Sequence, residues 1–110
     1  MLIVLFRSRL TDQAGEDYAR WGDEMLEHAR KQPGFVDFTQ YTGNADGERL
    51  TVVRWKDEET LEAWRQDSKH LAAKKLGRES WYAHYDIEIA RVFHIASFER
   101  APGVANEQEV

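Results

Sequence analysis

A chain of 110 residues, 42% apolar and 32% charged, is long enough for one globular domain and too short for two. With 15 basic against 20 acidic residues, the net charge of −5 runs against a binder of nucleic acid or anionic membrane. Cysteine is absent, which removes disulfides, thiolate metal centres and cysteine nucleophiles.

The chain opens on Leu2-Ile3-Val4-Leu5-Phe6. This run falls far short of the roughly 20 residues of a membrane-spanning helix. It also lacks the basic start and small-residue cleavage site of a signal peptide, so the default expectation is cytoplasmic. β-Branched and aromatic residues make it a buried strand. Thr11 and Asp12 offer N-cap oxygens to a first helix. Its apolar positions Ala14, Tyr18, Trp21, Met25 and Ala29 recur at threes and fours along one face. Pro33 disfavours helical geometry at Gln32 and ends it. Phe35 to Thr42 and Leu50 to Trp55 are the arms of a hairpin around the turn-forming stretch Gly43-Asn44-Ala45-Asp46-Gly47.

Asp57 caps a second helix, with Glu58 and Glu59 in its first turn. Leu61, Trp64, Ser68, Leu71, Ala72 and Lys75 mark the expected inward stripe. Asp67 offers a new cap from which the helix restarts as a separate piece. Gly77 suits a left-handed closing position. Trp81 to Phe98 reads as one long, bulged strand. A loose tail is expected from Arg100, giving a domain over 1–99 and a tail over 100–110.

The order β-α-β-β-α-β defines an α+β, ferredoxin-like split βαβ fold: one antiparallel sheet with both helices on one face. Such a sheet ordinarily alternates apolar and polar residues. Here both parities are apolar: Leu2, Val4 and Phe6 on one side of the first strand, Ile3 and Leu5 on the other. The third strand repeats this with Val53 and Trp55 against Leu50 and Val52. No residues remain to cover the second face. The economical cover is a second copy of the chain, packed sheet to sheet about a two-fold axis as a homodimer.

Several short motifs fall along this plan. They are Pro33-Gly34-Phe35, Trp55-Lys56-Asp57-Glu58-Glu59, Ala63-Trp64-Arg65, Lys69-His70-Leu71-Ala72-Ala73, Gly77-Arg78-Glu79, Trp81-Tyr82-Ala83-His84-Tyr85 and Val92. Together they resemble the antibiotic biosynthesis monooxygenase domain family of the dimeric α+β barrel superfamily. The resemblance runs nearly to Phe98. It implies the ferredoxin-like fold and the sheet-to-sheet dimer. It also implies a choice among cofactor-independent monooxygenases of aromatic polyketides, haem-degrading monooxygenases and members without known activity.

The candidate site residues each carry two readings. Trp64 is either core packing or a pocket wall against a planar substrate; the resemblance supports the wall, since the haem-degrading branch has a Trp in the matching helix. His70 follows the Asp67 cap, where a positive helix end favours a neutral imidazole able to accept a proton. The resemblance adds that a His is common there; the alternative is a structural or surface His. Trp81, Tyr82 and Tyr85 begin the last strand, either as edge and dimer packing or as substrate contacts. Tyr85 shares parity with Ile87 and Ile89 and is expected inside, where a phenol needs a partner. Arg54 orients an anionic substrate or forms an interface salt bridge. His84 shares parity with Asp86 and Glu88 and is left outside the site. His28, His70, His84 and His94 show no metal-ligand spacing.

Three functions follow. The first is an oxygenase with no resident cofactor. A base deprotonates a hydroquinone-like aromatic, and the anion reduces dioxygen directly inside a dry aromatic pocket. The second is haem degradation, with haem as substrate and cofactor together. Ten residues after Trp64, however, the chain has Lys74 in place of the histidine that branch implies, and Phe6-Arg7-Ser8 lacks its Asn. The third is a non-catalytic small-molecule-binding or stress-related module. An RNA-recognition domain is set aside, because the third strand lacks the aromatic signature and the charge is acidic. The expected pocket lies between the helices and the inner sheet face, lined by Trp64 and Tyr85 with His70 at its mouth.

Overall fold

A computed structural model describes residues 1–44 and 47–102. The centre of the hairpin turn and most of the expected tail lie outside the described residues. Four strands and three helices follow in order: β1 (Leu2–Leu10), α1 (Gly15–Arg30), β2 (Phe35–Thr42), β3 (Glu48–Trp55), α2 (Glu58–Arg65), α3 (Ser68–Leu76) and β4 (Tyr82–Arg91). A π-helical turn, Gly77–Trp81, joins α3 to β4. The strands form one antiparallel sheet in the order β2-β3-β1-β4, the ferredoxin-like topology.

Register assigns the two faces. Leu2 pairs with Trp55 and Val4 with Val53 on one face; Leu5 pairs with Val52 on the other. Leu61 of α2 packs on Leu2 and Trp55, and Phe35, Val4, Val53 and Trp64 close around them. Contacts between α1 and α3 put α1 on the same side. Among the described residues this helix packing lies on the Leu2–Trp55 face, and the opposite face carries Ile3, Leu5, Leu50 and Val52. Tyr41, paired with Leu50 there, is 55% exposed. No helix among the described residues is long and apolar enough to cross a membrane.

The structure revises several expectations. Thr11 does not cap α1. Gly15 takes a φ of 49°, and Ala14 stands at the cap with no side-chain bond. The Thr11 hydroxyl instead donates to the Ser80 carbonyl at 2.5 Å, and its amide donates to the Trp81 carbonyl at 2.8 Å. It clamps the end of β1 to the π-helical turn. Asp57 and Asp67 do cap α2 and α3, accepting from the amides of Thr60 at 2.9 Å and His70 at 3.0 Å.

That second cap resets the helical phase, so Ser68, Leu71, Ala72 and Lys75 point outward while Ala73 is buried and His70 half-buried. Gly77 is right-handed (φ −60°, ψ −45°), because the helix runs on into the π-helical turn rather than closing. Trp81 sits in that turn, 5% exposed, and not in the strand. β4 itself ends at Arg91, and beyond it the Val92 amide donates to the Met1 carbonyl. Ile87 and Ile89 face the helices through their pairing with Phe6 and Val4, yet are 45% and 44% exposed. β4 is an edge strand, so this strip lies at the margin of the sheet.

Candidate active site on the helix-side face

The junction between α2 and α3 builds the first half of the site. Only Gln66 and Asp67 separate the two helices, and the Asp67 carboxylate starts α3. This places the His70 ring flat on Trp64, with centroids 4.5 Å apart and planes at 17°. Trp64 also stacks on Trp55 at 5.7 Å, and Phe35 meets Trp55 edge-on at 5.7 Å. His70 Nδ1 lies 3.1 Å from the Trp64 carbonyl oxygen. A carbonyl only accepts, so Nδ1 carries the hydrogen and Nε2 keeps its lone pair. Burial holds the His70 pKa below its ordinary value of 6.5. The ring is therefore a neutral imidazole with one free acceptor nitrogen. From α1, His28 Nε2 approaches both Asp67 oxygens at 3.0 Å, and its ring packs 5.6 Å from Trp64.

The second half is an aromatic group at the other end of the same face. Phe6 stacks on Tyr85 at 5.4 Å and meets Tyr82 edge-on at 5.3 Å. Tyr18 of α1 meets Tyr82 and Trp81 edge-on. Burial pushes the Tyr82 phenol well above its ordinary pKa, so it stays protonated. Arg78 Nε donates to the Tyr85 hydroxyl oxygen at 3.1 Å. That contact leaves the Tyr85 proton free to be donated elsewhere. The Arg49 guanidinium lies 5.3 Å from the centre of the Tyr18 ring. β1 joins the halves: Val4 packs on the Leu2–Trp55–Leu61 core, and Phe6 packs on the tyrosines.

The structure thus brings Trp64 to His70 and Tyr82 to Tyr85, while Trp81 packs on Tyr18 and Trp21 of α1. Arg54 lies elsewhere. It pairs with Ile3 on the opposite sheet face and bonds to Asp37 Oδ1 at 3.1 Å. His84 is likewise on that face, 3.3 Å from Asp86. A cavity of about 400 Å³ does open between α2 and the sheet. Its walls are Leu2, Leu61, Arg65, Ile89 and Arg91 rather than Trp64 and Tyr85, His70 does not stand at its mouth, and an Arg91–Glu58 ion pair does. The difference has a physical cause: the Trp64 ring already packs on Trp55 and His70, which leaves its neighbours to form the wall. Among the described residues no cluster of three or more His, Cys, Asp or Glu has the geometry to hold a metal. Sequence reasoning missed His28, Arg78 and Arg49. His28 had a signal, because Trp21, Met25 and His28 continue one inward stripe at spacings of four and three.

A model of the antibiotic biosynthesis monooxygenase family matches residues 1–76. The chain belongs to that family. Among relatives, the uncharacterized protein YqjZ of Bacillus subtilis is 35% identical over 89 residues, covering 81% of this chain and 76% of YqjZ. The jasmonate monooxygenase of Pyricularia oryzae is 24% identical over 84% of this chain, which spans only 43% of that protein. SnoaB, a cofactor-independent oxygenase from Streptomyces nogalater, superposes with a TM-score of 0.74 at 13% identity, covering 86% of this chain and 94% of SnoaB. At that identity the likeness shows the fold alone, the ferredoxin-like α+β arrangement described above.

Proposed function

We propose that this chain is a cofactor-independent monooxygenase that oxidises an electron-rich, hydroquinone-like aromatic with dioxygen. The observation that carries the reading is the state of His70: a half-buried, neutral imidazole with Nδ1 engaged and Nε2 free. That is the equipment of a general base working near neutral pH. Nε2 takes the phenolic proton of the substrate. The resulting anion is electron-rich enough to pass an electron to dioxygen, and the radical pair joins at a ring carbon. Loss of water then converts that ring C–H, with the original phenol, into a quinone. One oxygen atom stays in the product, the other leaves as water, and all four electrons come from the substrate.

Trp64, stacked between Trp55 and His70, seats the imidazole ring that takes the proton. The Tyr85 hydroxyl, oriented by Arg78 and backed by Tyr82, offers a hydrogen-bond donor to the far end of an extended substrate. The uncovered strip of Ile87 and Ile89 provides the apolar bed for a planar ring. Arg54 serves the opposite face, where a second copy packs on Ile3, Leu5, Leu50 and Val52 to complete the barrel. The test is turnover of a panel of naphthol- and hydroquinone-type substrates by the purified protein. His70→Ala should reduce it by about 10²–10⁴-fold, as for a lost general base, with the fold retained.

A further inference from the structure

We propose that His28 is a positioning residue for His70, acting through the Asp67 carboxylate; this rests on the reading of His70 as the proton acceptor. The contacts form a relay across three elements. His28 Nε2 on α1 lies 3.0 Å from each Asp67 oxygen. Because a carboxylate only accepts, His28 is the donor. Asp67 Oδ1 also accepts the His70 amide at 3.0 Å, which sets the first turn of α3. His70 Nδ1 then reaches back to the Trp64 carbonyl at 3.1 Å.

The junction needs such an anchor. α2 and α3 have 8 and 9 residues, lengths at which a helix is marginal without tertiary support. The N-cap ties the start of α3 to its own carboxylate, but nothing in the cap fixes that carboxylate to the rest of the protein. His28 does so from α1. The two side chains are only 27% and 21% exposed, so water competes weakly for the bond. Lys69–Glu24 also bridges α1 and α3, but at 3.9 Å and 43% and 50% exposed it adds little. Charges of both signs surround His28: Asp23, Glu24, Glu27, Lys31 and Lys69 line the shallow cavity beside it. The Asp67 carboxylate is held below its ordinary pKa, chiefly by the His70 amide and further by His28, so it stays ionised as acceptor for both.

The experiment compares imidazole nitrogen NMR spectra of the full chain with those of His28→Phe and His28→Gln. Phe keeps a ring against Trp64 and removes the donor; Gln returns an N–H near the same place. Wild type should show His70 as a single Nδ1–H tautomer. In His28→Phe the His70 resonances should average between tautomers, and kcat should fall by about ten- to a hundredfold with little change in KM. His28→Gln should recover most of both. A role confined to holding helices together would lower the melting temperature and leave the tautomer alone. A His70 that keeps its Nδ1–H tautomer in folded His28→Phe overturns the proposal. If His28→Phe fails to fold, Asp67→Asn keeps the cap acceptor and weakens only the His28 bond. An unaltered tautomer there overturns it equally. The spectra need no substrate. Tautomer loss without wild-type turnover would therefore uphold the positioning role and defeat the oxygenase reading.

Discussion

His70 combines burial with a titratable ring, and its stability linkage follows from the sign of its shift. Its folded-state pKa lies below 6.5, so as pH falls through 6.5 the unfolded chain takes up the proton first. The native state therefore loses stability as pH drops from about 7 through that value to the lowered one. Urea denaturation between about pH 5 and 8 should show this slope, and His70→Gln should flatten it. Trp64 is the other pivotal side chain. Trp64→Ala should cost about 3–5 kcal/mol through the space left against Trp55 and His70, read as a shift in denaturation midpoint. Trp64→Phe should fold almost normally, because the smaller ring still fills most of the space between Trp55 and His70. Neither pairing of these residues was legible in the sequence. Helical spacing put Trp64 inward, and the Asp67 cap put His70 in the first turn, but the flat stacking of one on the other depends on the angle between α2 and α3.

At the scale of elements, cap and turn chemistry was the most readable part. Asp57, Asp67 and the extent of β2 all stand where the residues put them, because an N-cap aspartate and a Gly-rich turn act within a few residues of chain. The π-helical turn was not readable, having no residue pattern of its own, and with it went the fate of Gly77 and Trp81. The stripe of α3 was misplaced because a cap restarts the helical phase. The coverage of Ile87 and Ile89 was misjudged because β4 lies at the margin of the sheet. Two substitutions test these elements. Asp67→Ala should cost at least about 0.5–2 kcal/mol, the usual loss for an N-cap, since it also removes the acceptor of His28. Gly77→Ala should cost about 1–3 kcal/mol, because its Cβ would lie 2.5 Å from the Tyr82 ring, which is itself wedged against Phe6 and Tyr18. Thermal or chemical denaturation reads both.

For the whole molecule, the proposed second copy would cover the apolar second sheet face and the exposed Phe93, Ile95 and Phe98 beyond β4. The two-faced parity that predicted this was plain in β1 and β3, since strand alternation is a strictly local rule. Sedimentation at micromolar concentration should give twice the chain mass, with an interface of the obligate class, about 2,000 Å² or more. A well-folded monomer would contradict the barrel. The proposed chemistry lies on the helix-side face, with His70 as the proton acceptor and the substrate itself as the reductant of dioxygen. Its most direct test is dioxygen uptake by the purified, metal-free protein given a naphthol- or hydroquinone-type substrate, measured beside His70→Ala. The expected result is one dioxygen consumed per quinone formed, with one labelled oxygen atom from ¹⁸O₂ in the product, and uptake lost in the variant. Uptake that is absent across the panel, or unchanged in His70→Ala, would contradict it.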